Sequence, residues 1–184
     1  MEGLCESLVH EHEVIERVLD AIEAAARQIR AGGPVDRLFF SEAVTFLREF
    51  ADGVHHRKEE DILFPGLCAA GIPKDGGPVG VMLHEHNLGR GHIGAIVESL
   101  DAAVRGDRAA RETLVEESLG YVELLRAHIQ KENLILFPMA EQVLGYDQKS
   151  QIYRAFQQAE AATTDLTNRQ RQWAEGLSSR SLES

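Results

Sequence analysis

Hydrophobic and polar positions follow a three-to-four-residue period in four successive segments of this chain, the period of a helix with one buried face. In the first, Leu4, Leu8, His12, Ile15, Leu19 and Ile22 share that face. The second, starting near Asp36 or Ser41, steps by fours through Leu47, Ala51, His55, Glu59 and Leu63 and is expected to end at Pro65. Met82, His86, Ile93, Ile96 or Val97, and Leu100 mark the third; Leu114, Tyr121, Leu125, His128, Glu132, Leu136 and Met139 mark the fourth. Every apolar stripe therefore contains a histidine, a side chain that needs a partner when buried.

Short breaks rich in Gly and Pro separate the segments, at AGGPVD (31–36), AGIPKDGGP (70–78) and RGD (105–107), and no stretch reads as a β-strand. Such short loops make consecutive helices antiparallel neighbours. The pattern thus predicts an all-α fold, an up-down-up-down antiparallel four-helix bundle over residues 1–145. Residues 146–175 are more polar, and Ile152, Phe156 and Leu166 predict an additional C-terminal helix packed on the outside of the bundle. Residues 176–184 read as a disordered tail.

Two stretches concentrate the ionisable chemistry: HHRKEEDILFP at 55–65 and HIQKENLILFP at 128–138, offset by 73 residues (128 − 55). His10-Glu11-His12 is likewise echoed by His84-Glu85-His86, offset by 74 (86 − 12). A single His-x-x-x-Glu pair is usually a solvated pair on a helix surface. Two copies on two apolar stripes point instead to two helix-pair repeats, each giving a lone histidine and a His-x-x-x-Glu. Residues four apart on a helix lie above one another, so His55 with Glu59 and His128 with Glu132 aim at the interior, joined by His12 and His86. Four imidazoles and two carboxylates in a bundle core suit a pair of metal ions, which would remove the several kcal/mol that each buried carboxylate otherwise costs. Nitrogen and oxygen donors without sulfur favour iron, ahead of zinc, manganese and copper.

The neighbouring groups divide by phase. His10 and His84 lie about 200° around their helices from His12 and His86 and are assigned to the surface. His56 and Glu60 form a competing pair, but the repeat aligns them with Ile129 and Asn133, which favours His55 and Glu59. Arg90 has the phase to hydrogen-bond a ligating carboxylate. His92 has no repeat partner, and Glu16 reads as solvated. Gly53, just before His55, offers a close helix approach, and Pro65 and Pro138 are expected to kink or end their helices.

These residues resemble the hemerythrin-like family, the HHE cation-binding domain, over about residues 4–145. Its members carry a lone His on the first and third helices and His-x-x-x-Glu followed by Leu-Phe-Pro on the second and fourth. The resemblance implies a non-haem dinuclear iron site, oxo- or hydroxo-bridged, held by His12, His55, Glu59, His86, His128 and Glu132. It further implies a protein that binds or senses dioxygen, nitric oxide or peroxide; the alternatives are a catalase-like peroxide-decomposing enzyme and an iron-binding or storage module. One departure stands out: oxygen-carrying members have two ligating histidines four apart on the third helix, whereas Met82 and Arg90 flank His86 here. One nitrogen fewer leaves room for a water, an extra carboxylate or Tyr121. His56, Glu60, Arg90 and Tyr121 are accordingly further candidates, as ligands or as hydrogen-bond partners of ligands.

Composition narrows the partners more than the chemistry. A chain of 184 residues with 43% hydrophobic content is enough for one domain, and a net charge of −11 argues against nucleic acid or an anionic membrane as partner. No apolar run approaches the roughly 20 residues that span a bilayer, and MEGLCESLVHEHE lacks a signal peptide's regions, so a cytoplasmic location is expected. Cys5 and Cys68 read as reduced thiols. No protein partner can be read from the sequence.

Overall fold

A computed structural model of the chain describes residues 3–180, and every regular element among them is helical. Helix α1 spans Glu6–Arg30, with Leu8, His12, Ile15, Leu19 and Ile22 on its buried face. Helix α2, Arg37–Phe46, starts at Asp36, whose side chain accepts from the Phe39 backbone N–H at 3.0 Å and so satisfies a donor the first turn leaves free. The winding then widens to a π-helix over Leu47–His56, again over Glu59–Leu63, and returns to α-helix in α3, Phe64–Ala69. Residues between these pieces keep helical torsions, so 37–69 is one rod.

After the second break come α4, Pro78–Val104, and α5, Arg108–Lys131, the latter capped by Asp107 accepting from Ala110 N–H at 2.8 Å. Helix α5 also passes through a π-helical stretch, Glu132–Leu136, into α6, Phe137–Val143. Pro65 and Pro138 therefore do not end their helices as expected. Each sits in the first turn of the α-segment that follows a π-stretch, where the missing N–H is not called upon.

Two apolar clusters form the core. One gathers Ile15, Leu19, Phe46, Phe50, Ile93, Tyr121 and Leu125; the other gathers Leu4, Leu8, Leu63, Phe64, Met82, Leu136 and Phe137. Along each long helix the histidine and glutamate positions lie between residues of the first cluster and residues of the second. Each fully buried large side chain contributes roughly 1.5–3 kcal/mol. The two clusters thus offset an unfavourable polar layer held between them.

Helix α7, Tyr146–Arg180, lies against both clusters: Ile152 and Phe156 enter one, Ala174 and Leu177 the other. Trp173 donates to Glu42 at 2.9 Å and Gln170 to Glu49 at 2.7 Å. The close approach expected at Gly53 occurs at Gly66 instead, where a Cβ would come within 2.6 Å of Ile152 Cδ1; one at Gly53 would meet only the Arg48 carbonyl of its own rod. Helix α7 also runs through 176–180, where a tail was expected, and 181–184 lie outside the described residues. Among the described residues no helix is long and apolar enough to cross a membrane.

Candidate metal centre

The six residues singled out by spacing all arrive in the polar layer, and all are buried: His12, His55, Glu59, His86, His128 and Glu132. They fall into two groups that share one member. In the first, donor atoms of His12, His55, Glu59 and Glu132 lie within 4.8 Å of one another; in the second, those of His56, Glu59, His86 and His128 do. His12 Nε2 faces His55 Nε2 at 3.0 Å, and His86 Nε2 faces His128 Nε2 at 3.1 Å. Donors about 2.1 Å from a common ion and at right angles lie about 3.0 Å apart, so each pair is spaced as neighbouring ligands of one ion.

Both glutamates reach across the two groups. Glu59 places one oxygen 3.6 Å from His55 Nε2 and the other 3.5 Å from His86 Nε2. Glu132 does the same more closely, 3.1 Å from His12 Nε2 and 3.2 Å from His128 Nε2. None of the four oxygens is in hydrogen-bond geometry with a partner, although all are buried. Short contacts without hydrogen bonds are what a set of metal ligands looks like when its atoms converge on a point between them.

The outward nitrogens are fully committed. Nδ1 of His55 lies 3.0 Å from Glu11, that of His128 2.9 Å from Glu85, that of His86 2.7 Å from Glu60 and that of His12 2.9 Å from the Asn133 carbonyl oxygen. A proton held at Nδ1 by these acceptors leaves each Nε2 with a free lone pair directed inward. Glu11 and Glu85 are in turn held by Lys58, at 2.7 Å, and by Lys131. This outer ring also repeats: Glu11 and Glu85 are 74 apart (85 − 11), Lys58 and Lys131 are 73 apart (131 − 58), and Glu60 and Asn133 are 73 apart (133 − 60). Sequence reasoning missed Glu11, Glu85, Lys58, Lys131 and Asn133 as partners, although the same duplication that located the histidines contains them.

His56 breaks the repeat. It is buried, its ring stacks on His86 at 3.8 Å, its Nδ1 lies 3.3 Å from Asp52, and its buried Nε2 has no hydrogen-bond partner. The π-helical winding of Leu47–His56 explains why neighbours 55 and 56 both turn inward: an i to i+5 turn holds one more residue than an α-turn. The nitrogen that Met82 and Arg90 fail to supply has its counterpart on the second rod. Arg90 and Glu60 take outer positions, with Arg90 Nη2 donating to Asp52 at 2.7 Å and to Glu60 at 2.8 Å. Tyr121 is buried in the apolar cluster with its ring against Gly89, and burial pushes its phenol up. His10, His84 and Glu16 are exposed, and His92 pairs with Glu117 at 2.7 Å.

Without metal the charges of the site are divided: burial opposes charge on His128, but Glu132 and then Glu85 outweigh it and hold His128 above the usual imidazole range. Burial, then the neighbouring His12 and His56, hold His55 well below the usual imidazole range, and burial also lowers His56 and His86. Burial works against charge on Glu132 too, but His128 and His12 outweigh it and keep it ionised. Glu59 is pushed well up by burial and by the Glu132 carboxylate beside it. Cys5 lies close enough to feel both glutamates, and burial first and then Glu141 push its thiol up to about 12.

The hemerythrin HHE cation-binding domain model matches residues 4–140. The chain belongs to this family. As a hemerythrin HHE domain it is a member of a metal-cation-binding family, and its buried His/Glu groups are of the kind that hold such ions. Uncharacterized proteins of Mycobacterium bovis and Mycobacterium tuberculosis are 27% identical to this HHE domain protein over 140 residues, 76% of its length. It spans about half the length of these curated relatives, the alignment covering 54% of each. No solved structure matches it.

Proposed function

We propose that the chain is a non-haem dinuclear iron protein that binds or senses dioxygen, nitric oxide or peroxide. His12, His55, Glu59 and Glu132 would hold one ion, and His56, His86 and His128 with the same two glutamates the other. The observation that carries this is the set of four buried carboxylate oxygens without hydrogen bonds, ringed by imidazoles whose Nε2 atoms face inward. Iron fits a donor set of imidazole and carboxylate with no thiolate. The helices that deliver these residues form, in this reading, an up-down-up-down antiparallel bundle.

When bound, such a pair of ions supplies a place for a small oxidant and a reversible change of oxidation state. The chain's residues do the rest. Glu59 and Glu132 span both positions, the Nδ1 contacts fix the imidazoles of His12, His55, His86 and His128, and Phe64 and Phe137 stack on His86 and His12 and cover those rings with apolar surface. Three imidazoles would serve one position and two the other, so the His12/His55 position would have fewer nitrogen donors and more room for a small molecule.

The test is metal analysis with an ultraviolet–visible spectrum on protein purified without affinity metals, before and after peroxide, with oxygen release followed in the same cuvette. About two irons per chain and a spectral shift without sustained oxygen release are expected. Sustained release that disappears in His128→Ala would replace the binding reading with the catalase-like one. Failure to take up metal after reconstitution would sink both.

A further inference from the structure

The two halves of the centre are buttressed alike up to the lysine and differently beyond it. Lys58 is 2% exposed and its Nζ donates to Glu11 at 2.7 Å and to Glu160 of α7 at 2.9 Å. Its repeat mate Lys131 contacts Glu85, is 36% exposed, and has no second carboxylate among the described residues. The Phe156 ring, also from α7, lies 5.5 Å from Lys58 Nζ. Glu160 and Phe156 lie beyond residue 140, outside the family domain.

We propose that Glu160 is a positioning residue for the His12/His55 half of the centre, acting through Lys58, Glu11 and His55. His55 is oriented by its Nδ1 contact to one Glu11 oxygen; the other Glu11 oxygen is held by Lys58. A lysine stem has four rotatable carbons, and one carboxylate fixes only one of its three donors. Space for it to move lies alongside: a groove of about 310 Å³ between the rod and α7 is lined by Gly53, Val54, Ile62, Ala159 and Ala162, with Lys58 on its wall. Glu160 closes off that alternative by engaging a second donor. Glu11 is then fixed at both oxygens, and His55 can present Nε2 in one direction only.

Glu160's role rests on the metal reading above, and the two fail in different ways. Wild type, Glu160→Ala, Glu160→Gln and Gln170→Ala are loaded with iron(II) under argon and challenged with excess colorimetric iron(II) chelator. Gln170→Ala cuts another contact of α7, to Glu49, and serves as the control. Glu160→Ala is expected to speed release of one iron per chain about tenfold, leaving the other near its wild-type rate, with Glu160→Gln in between because its amide oxygen still accepts from Lys58. Gln170→Ala should release both irons as wild type does, and the metal-free unfolding midpoint of the Glu160 variants should stay close to wild type. Unchanged release, equal acceleration of both irons, or the same effect in Gln170→Ala overturns the assignment. Wild-type protein that takes up no iron overturns the metal reading itself and Glu160's role with it.

Discussion

The half built from α1 and the 37–69 rod and the half built from α4, α5 and α6 present matching donors at nearly every level. His12 pairs with His86, His55 with His128, Glu59 with Glu132, Glu11 with Glu85 and Lys58 with Lys131. Even the π-stretch Glu59–Leu63 has its mate in Glu132–Leu136. They part company at His56, whose mate is Ile129, and at the Asp52 and Arg90 that support it, whose mates are Leu125 and Glu16. The backbone parts there too, since Leu47–His56 is π-helical and its mate lies within the regular α5. Duplication therefore accounts for a symmetric cage of four imidazoles and two carboxylates. A local change in winding, together with a histidine where the mate has Ile129, accounts for the fifth imidazole and so for two groups of unequal make-up.

The largest effect should come from a residue that serves both halves. Glu132→Ala is expected to reduce bound metal from about two ions per chain to less than one, because Glu132 spans both groups. Elemental analysis after reconstitution checks this; loss of one ion alone would mean that Glu132 serves only one half.

Next is the metal-free protein, where the same carboxylates are a burden. Glu59 is pushed above its usual value of 4.5 by burial and by Glu132. The folded state therefore holds the proton more tightly than the unfolded chain. That contribution to stability is fully present below pH 4.5 and is lost as pH rises through the raised folded value. Glu59→Gln, which needs no proton, should stabilise the metal-free protein by about 1–3 kcal/mol near neutral pH and flatten this dependence. Denaturant titrations at about pH 5 and about pH 8 on chelator-treated wild type and Glu59→Gln measure it: the lowered His55, His56 and His86 add a rise with pH common to both, so the advantage of Glu59→Gln should grow from pH 5 to pH 8, and an advantage that does not grow would contradict the assignment.

His56→Ile writes the mate's residue into the one asymmetric place. It should weaken one of the two ions by at least about tenfold and leave the other bound, since only the His86/His128 group loses a donor. Competition with a chelator of known affinity reads this directly, and loss of both ions together would show that the halves are not separable. Smallest is Arg90→Ala. Arg90 is 39% exposed, so loss of its pairs with Asp52 and Glu60 should cost about 1 kcal/mol or less in the metal-free protein. Its expected signature is a change in the His56 and His86 ring resonances. A melt lowered by many degrees would make it a structural residue instead.

The helical content and the six repeat-related His and Glu positions of the polar layer were legible before any fold was known, because both rest on spacing along one helix. Residues four apart share a face whatever the rest of the chain does, so the His-x-x-x-Glu pairs and the lone histidines were legible from their periods and offsets alone. Tertiary structure decided everything that depended on a change of winding or on contact between distant helices. An α-helical ruler separates residues 55 and 56 by about 100°, and only the wider turn of Leu47–His56 brings both rings inward. The same ruler ends a helix at Pro65, where the structure resets the register and continues. Glu11 meets His55 across 44 residues and Lys58 meets Glu160 across 102. No local pattern encodes those contacts, because they follow from how packed rods sit against one another rather than from the order of residues in either one.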